Sequence, residues 1–154
     1  PPMLIGAAVS VRTAADVAEW ADGLITVAQP HGHLRQMVDA YRDAGGGGRL
    51  YLQVHLSYDG DEDTALRIAH EQWRSNVFPP PVCWDLETAE IFDAVSEHVL
   101  VSSDLGQHAA WLHDLAELGF DEIYLHHVGQ EQSGFIEAFG GHVLPRIGTS
   151  EVSR

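Results

Sequence analysis

Two hydrophobic rhythms alternate along the chain. Short continuous apolar runs, Leu4–Ala8 and Leu24–Ala28, read as buried strands. Each is followed by apolar residues at helical spacing. Over Thr13–Ala21 these are Ala14, Val17, Ala18 and Ala21; over Leu34–Ala44 they are Leu34, Met37, Val38 and Tyr41. A third strand, Leu50–Ser57, has period two. Leu50, Leu52, Val54 and Leu56 point one way, and Tyr51, Gln53, His55 and Ser57 the other. The spacing then predicts a helix over Asp63–Arg74 with Leu66, Ala69 and Trp73 inward. Residues 76–88 are irregular, and Glu87–His98 reads as a short helix. Ser102–Gly106 is a cap-rich turn into a helix over Gln107–Leu118, which Gly119 closes. The fourth strand is Glu122–Val128, with Tyr124 and His126 on its inner face. The last helix, Glu131–Leu144, carries Phe135, Ile136, Phe139 and Val143. Between elements, Asp22-Gly23 is expected to end the first helix, Gln29–His33 to be a loop, and Gly45–Gly48 a flexible link.

Regular strand–helix alternation predicts an α/β fold with a parallel sheet covered by helices. Four such units are half of the eight in a TIM (β/α)8 barrel. The polar faces of the third and fourth strands favour the barrel. An open doubly wound sheet covers both faces with helices, whereas a barrel lets polar groups line its lumen. Residues 1–147 are expected to form the half-barrel and 148–154 a tail. The start, Pro-Pro-Met, reads as an interior point of a longer protein.

Composition narrows the function. The 154 residues are 45% hydrophobic, enough for a packed core. A net charge of −15, from 23 acidic against 8 basic residues, argues against nucleic acid and anionic membrane as partners. The single cysteine, Cys83, excludes an internal disulfide framework and fits a reducing, cytoplasmic compartment. It sits among Pro79, Pro80, Pro81 and Trp84, a poor setting for a nucleophile. No run is long and apolar enough to span a membrane.

The most suggestive chemistry lies at the first strand-to-helix turn, Leu4-Ile-Gly-Ala-Ala-Val-Ser-Val-Arg-Thr13. A strand entering a helix through small residues leaves unpaired backbone N–H groups facing outward, an arrangement that suits an anion. Ser10 and Thr13 add hydroxyls, and Arg12 a guanidinium. The simpler reading is that Ser10 or Thr13 only caps the helix. The acidic residues at 59–63 suit a helix N-terminus better than a metal, since the EF-hand spacing is absent.

With the elements placed, several segments together resemble the C-terminal half of the bacterial-luciferase-like superfamily of flavin- or deazaflavin-dependent oxidoreductases. They are Ile5-Gly-Ala-Ala-Val-Ser10, Ala21-Asp-Gly-Leu-Ile25 and Leu56-Ser-Tyr-Asp59. To these are added Gly119-Phe-Asp-Glu-Ile-Tyr-Leu-His126, Gln130-Glu-Gln132 and Phe135-Ile-Glu-Ala-Phe139. The chain is most similar to the branch holding deazaflavin-dependent glucose-6-phosphate dehydrogenase, and closer still to relatives that use FMN. The resemblance implies FMN as cofactor, with the deazaflavin F420 as alternative, and hydride or oxygen transfer as the reaction. It places the cofactor's phosphate end at Val9, Ser10, Arg12 and Thr13, approached past Ala7 and Ala8. It also implies a small-molecule pocket touched by Val27, Pro30, His31, His55 and His126.

Two departures bear on the substrate. The sugar-phosphate enzymes carry Thr and Lys where this chain has Val27 and Pro30, and Arg where it has Ser133 or Gly134. A phosphorylated sugar would lose its cationic partners here. In the resembling dehydrogenases the catalytic acid or base lies in the N-terminal half, so no catalytic residue is assigned. The expected partner is that half of the barrel or a second copy of the chain. Two other readings are a non-catalytic half-barrel that self-associates, and a metal-dependent barrel suggested by 10 histidines, none of them at ligand spacing.

Overall fold

The structure is a computed structural model that describes residues 2–77, 95 and 98–147. Cys83, most of the helix expected to end at His98, and the tail from 148 lie outside the described residues. Among those described, the chain runs β1 (Ile5–Ala7), α1 (Val11–Val17), β2 (Gly23–Val27), α2 (His31–Asp43), β3 (Arg49–Ser57) and α3 (Glu62–Val77). It continues with β4 (Leu100–Val101), α4 (Leu105–Ala116), β5 (Glu122–His127) and α5 (Ser133–Ala138). A π-helical turn (Phe139–Val143) and α6 (Leu144–Ile147) close it. The order is the α/β alternation expected. β4 is a fifth strand beyond the four read from the pattern; two residues are too short to carry a period.

Two compact units divide these elements: Pro1–Val54 with Asp114–His126, and His55–His113 with His127–Arg154. In the first, β1 pairs parallel with β2, Ile5 opposite Gly23, and β2 pairs parallel with β3, Gly23 opposite Arg49. Leu4 and Asp22 pin the sheet's lower end. The Leu4 N–H donates to the Asp22 carboxylate at 2.7 Å, and the Asp22 N–H donates to the Leu4 carbonyl at 2.7 Å. Asp121 does the same for β3, accepting from the Leu50 N–H through its carboxylate and donating its own N–H to the Leu50 carbonyl, both at 2.8 Å. Ala14 and Val17 of α1, Leu34, Met37 and Tyr41 of α2, and Leu24, Leu50 and Leu52 fill the core. Burying Leu34 and Met37 contributes roughly 1.5–3 kcal/mol each.

In the second unit the end of β3 pairs parallel with β4, Leu56 opposite Leu100 and Ser57 opposite Val101. Ala69, Val95, Val99 and Val128 form its core, with Ile68, Trp73 and Val101 half-buried against them. Ser57 is fully buried, and its hydroxyl donates to the Ala65 carbonyl at 2.7 Å. Asp61 caps α3, its carboxylate accepting from the Thr64 N–H at 2.9 Å. Thr64's side-chain and backbone hydrogen bonds hold the Asp61 carboxyl below its ordinary pKa. That is the helix-end role expected of the acidic stretch. Among the described residues no three His, Cys, Asp or Glu side chains could hold a metal ion, and no helix is long and apolar enough to cross a membrane.

Several boundaries move, each for a local reason. Helix α1 spans Val11–Val17, not Thr13–Ala21. Past Val17 the chain tightens: Ala18, Glu19 and Trp20 donate to carbonyls three residues back. Gly23 is not a helix cap but the first residue of β2, where a Cβ would stand 2.8 Å from the Arg49 carbonyl. His31 and His33, expected in a loop, occupy the first turn of α2, because the Pro30 carbonyl accepts from both His33 and Leu34 N–H groups. Nor is Gly45–Gly48 a loose link. Gly45 takes a φ of 92° to end α2, and Arg42 donates to the Gly46 and Gly48 carbonyls at 2.8 and 2.7 Å. On α3 the fully buried positions are Ala65 and Ala69, while Leu66 and Trp73 are half-buried. The last helix breaks into α5, the π-helical turn and α6. The π-helical turn buries Phe139 and Val143, and Ile136, expected inward, is 62% exposed.

Candidate functional site

Strand β1 ends where the Ala8 N–H donates to the Ile25 carbonyl at 3.0 Å, holding Ala8 4% exposed. The chain then leaves the sheet through Val9, which is 64% exposed, and enters α1 at Ser10. Ser10 has extended geometry (φ −132°, ψ 151°), and its Oγ accepts from the Thr13 N–H at 3.2 Å. The two hydroxyls, Ser10 Oγ and Thr13 Oγ1, are 2.9 Å apart and share a hydrogen bond. Ser10 is therefore an N-cap, as the simpler reading has it. That cap satisfies one N–H of the first turn. The N–H groups of Val11 and Arg12 precede any possible intrahelical acceptor. Among the described residues Arg12 makes no ion pair.

Beside this turn, at the C-terminal ends of β1 and β2 and the middle of β3, lies a cavity of about 280 Å3. Ala7, Ala8, Val9 and Thr13 line it from the turn, and Ile25, Thr26, Val27 and Gln53 from the neighbouring strands. Five of the residues proposed from sequence thus meet at one pocket: Ala7, Ala8, Val9, Thr13 and Val27. Ser10 and Arg12 adjoin it along the chain without lining it. Pro30 is the N-cap residue of α2 and His31 its first residue, both exposed. His55 belongs to the second unit, where its ring lies 4.6 Å from that of Trp73. His126 is half-buried on β5.

His33 brings α2 to the turn: its Nε2 lies 3.4 Å from the Val9 carbonyl oxygen. Since a carbonyl only accepts, the imidazole is the donor. The fit to a phosphate-bearing cofactor is good on these counts. Small side chains flank the approach, two backbone donors are uncommitted within the helix, and a cation stands at the turn.

A second cavity, of about 290 Å3, lies within the second unit and was not read from sequence. Tyr58, Asp59 and Gly60 after β3, and His127, Glu131 and Phe135 at and after β5, line it. His127 is 5% exposed and stacks on Phe135, ring centroids 4.8 Å apart at 13°. The Glu131 carboxylate accepts from the Ser133 and Gly134 N–H groups, both at 2.9 Å. The Gly134 and then the Ser133 backbone bonds hold its pKa low. The signal available was position: both loops follow the C-terminal ends of strands, where barrel enzymes place their sites.

No family model matches the chain. It is 26% identical over 165 residues to an F420-dependent glucose-6-phosphate dehydrogenase of Microbacterium testaceum (strain StLB037), covering 95% of this chain and 48% of the relative. Among solved structures it superposes on an F420-dependent secondary alcohol dehydrogenase in complex with an F420–acetone adduct. The TM-score is 0.73 at 17% identity, covering 96% of this chain and 49% of that one. It also superposes on the oxygenating constituent of 3,6-diketocamphane monooxygenase from Pseudomonas putida, a type II Baeyer-Villiger monooxygenase in complex with FMN. There the TM-score is 0.58 at 14% identity, covering 93% of this chain and 48% of that one. The chain spans about half the length of the curated relatives it matches. In sequence it is similar to about half of an F420-dependent glucose-6-phosphate dehydrogenase, and in fold to about half of F420- and FMN-dependent oxidoreductases.

Proposed function

We propose that this chain is the cofactor-gripping half of a flavin- or F420-dependent oxidoreductase, a dehydrogenase or monooxygenase acting on a small molecule in the cytoplasm. The observation that carries the reading is the turn Ala7–Thr13 opening onto the pocket at the ends of β1 and β2. Val11 and Arg12 offer backbone donors to the cofactor's phosphate, Arg12 adds charge, and Ala7 and Ala8 leave room for approach. Thr13 and Val27 face the same cavity. A bound FMN or F420 supplies the redox chemistry, and the chain orients it and excludes water. Two expected substrate contacts, Pro30 and His31, sit at the start of α2, while His55 and His126 stand on β3 and β5. Val27 and Pro30 leave that side without a cation, and Glu131 places a carboxylate after β5, so the substrate is not a phosphorylated sugar. Residues 1–147 form the functional segment, completed by the other half of a barrel. Replacing Ser10 by Ala, Arg12 by Leu and Thr13 by Ala together in the full-length protein should weaken cofactor binding tenfold or more. Unchanged affinity would remove the turn from the site.

A second reading has one observation in its favour. Among the described residues β1 pairs only with β2, and Leu4 and Ile5 at that strand are 52% and 36% exposed. An open strand edge beside exposed apolar groups invites pairing with a second copy of the chain. Sedimentation of the 154-residue chain tests this: self-association grows with concentration on this reading, and a monomer at all concentrations contradicts it.

A further inference from the structure

We infer that the cavity of about 290 Å3 in the second unit binds a small organic cation, a protonated amine carried on an apolar body. The inference goes beyond the oxidoreductase reading and needs no bound cofactor. The chain from β3 into α3 contributes Tyr58, Asp59 and Ile68, and the chain from β5 into α5 contributes His127, Glu131 and Phe135. The charge of this lining is one-sided. Asp59 and Glu131 bring carboxylates, and among the described residues that line the cavity none is Lys or Arg. Nor does either carboxylate form an ion pair with a Lys or Arg among the described residues. Both keep acceptor capacity, since a carboxylate offers about four lone-pair sites. Asp59 Oδ1 accepts from the Asp61 N–H at 3.0 Å. Glu131 gives one oxygen to the Ser133 N–H and the other to the Gly134 N–H, each at 2.9 Å. The Gly134 bond, then the Ser133 bond, lowers the Glu131 pKa, which keeps that carboxylate charged at neutral pH.

The remaining lining selects the kind of cation. Among the described residues no three His, Cys, Asp or Glu side chains could hold a metal ion, so Asp59, His127 and Glu131 do not form a metal site. Ile68 and Phe135 offer apolar surface, and half-buried Tyr58 adds a second aromatic ring. That mixture suits an ammonium on a hydrocarbon body better than a hydrated inorganic ion. Ligand cavities run from about 300 to 1,000 Å3, so this one takes a single ring or a short chain. Its second loop is braced from within. Gln132 Nε2 donates to the His127 carbonyl at 3.3 Å and to the Gly129 carbonyl at 2.5 Å, and the His127 ring stacks on Phe135. The carboxylate of Glu131 is therefore held on a loop with little freedom to lose when a ligand binds.

The test uses the full-length protein as purified and three probes of similar shape: benzylamine, benzyl alcohol and benzoate. Benzylamine should bind saturably and at least about tenfold tighter than benzyl alcohol, with no binding of benzoate. The amide resonances of Gly129 and Gly134 should move as benzylamine is added. The double variant Asp59→Asn, Glu131→Gln keeps an oxygen acceptor at each position. It should weaken benzylamine about tenfold and leave benzyl alcohol within about twofold of the wild type. Absence of benzylamine binding, equal affinity for the amine and the alcohol, or an unchanged double variant overturns the inference. Where the double variant does not fold, the wild-type titration decides: movement of both glycine amides supports the site, and saturation with either of them unmoved overturns it. FMN and F420 are titrated separately, so their failure to bind counts against the proposed function and leaves the amine result standing.

Discussion

Single side chains at the turn and in the second unit carry opposite kinds of information. The Ser10 hydroxyl is committed to its cap, so Ser10→Ala should cost about 1 kcal/mol of stability. The loss should appear as faster amide exchange at Thr13, whose donor it frees, and unaltered exchange there would contradict the assignment. His108, in α4, is fully buried against Trp111 and Phe139, with ring centroids 5.4 and 5.1 Å away. Its Nε2 faces the Ser102 carbonyl at 3.0 Å and must carry the proton, so among the described residues Nδ1 is left as a buried acceptor without a partner. Desolvation by burial is the main cause lowering its pKa below 6.5, against the raising effect of the Ser102 bond. A histidine depressed in the folded state is neutral there while the unfolded chain takes up a proton. Its contribution to stability is therefore complete above pH 6.5 and is lost as pH falls from there toward the folded pKa. The loss is at most about 1.4 kcal/mol per pH unit. Denaturant unfolding between pH 7 and 5 should show this slope in the wild type and a shallower one in His108→Phe; equal slopes would contradict it.

At the scale of elements, most of the chain was legible because periodicity survives wherever one face is buried. On β3, Leu50, Leu52, Val54 and Leu56 are all 1% exposed or less; on the other side Gln53 and His55 are half-buried, while Tyr51 and Ser57 at either end of that face are buried as well. The stripe Leu34–Met37–Tyr41 on α2 is likewise buried. What the pattern hid was either too short to carry a period or set by contacts between segments distant in sequence. Pro30's carbonyl draws His31 and His33 into a helix, and β4 is two residues long. The second cavity joins loops some seventy positions apart. Glycines were misread for the same reason: composition alone makes Gly45–Gly48 look loose. At Gly48, however, a Cβ would stand 1.8 Å from the Asp22 carbonyl oxygen, whereas at Gly47 nothing lies within 4 Å. Gly48→Ala should therefore cost about 3 kcal/mol and Gly47→Ala less than about 0.5 kcal/mol, read from denaturant midpoints. Similar costs at both would mean the link is not packed against Asp22.

The chain aligns with 48% of an F420-dependent glucose-6-phosphate dehydrogenase, and its fold superposes on about half of an F420-dependent secondary alcohol dehydrogenase. The resemblance read from short segments agrees with both comparisons, and three of those segments, Ile5–Ser10, Leu56–Asp59 and Gln130–Gln132, lie at or just after the C-terminal ends of β1, β3 and β5. The substrate pocket was less legible. Of its five expected residues only Val27 lines the cavity beside the first strand-to-helix turn. Substrate loops can vary while the scaffold stays fixed. A surface carrying −15 charges gives no general attraction for phosphate, so any affinity for FMN or F420 must come from local donors such as those at Ala7–Thr13. Titrating FMN and F420 separately into the full-length protein, followed by visible absorption and fluorescence, tests this most directly. The account predicts saturable binding of one of them at one molecule per chain, weakened by Arg12→Leu; failure of both to bind would contradict it.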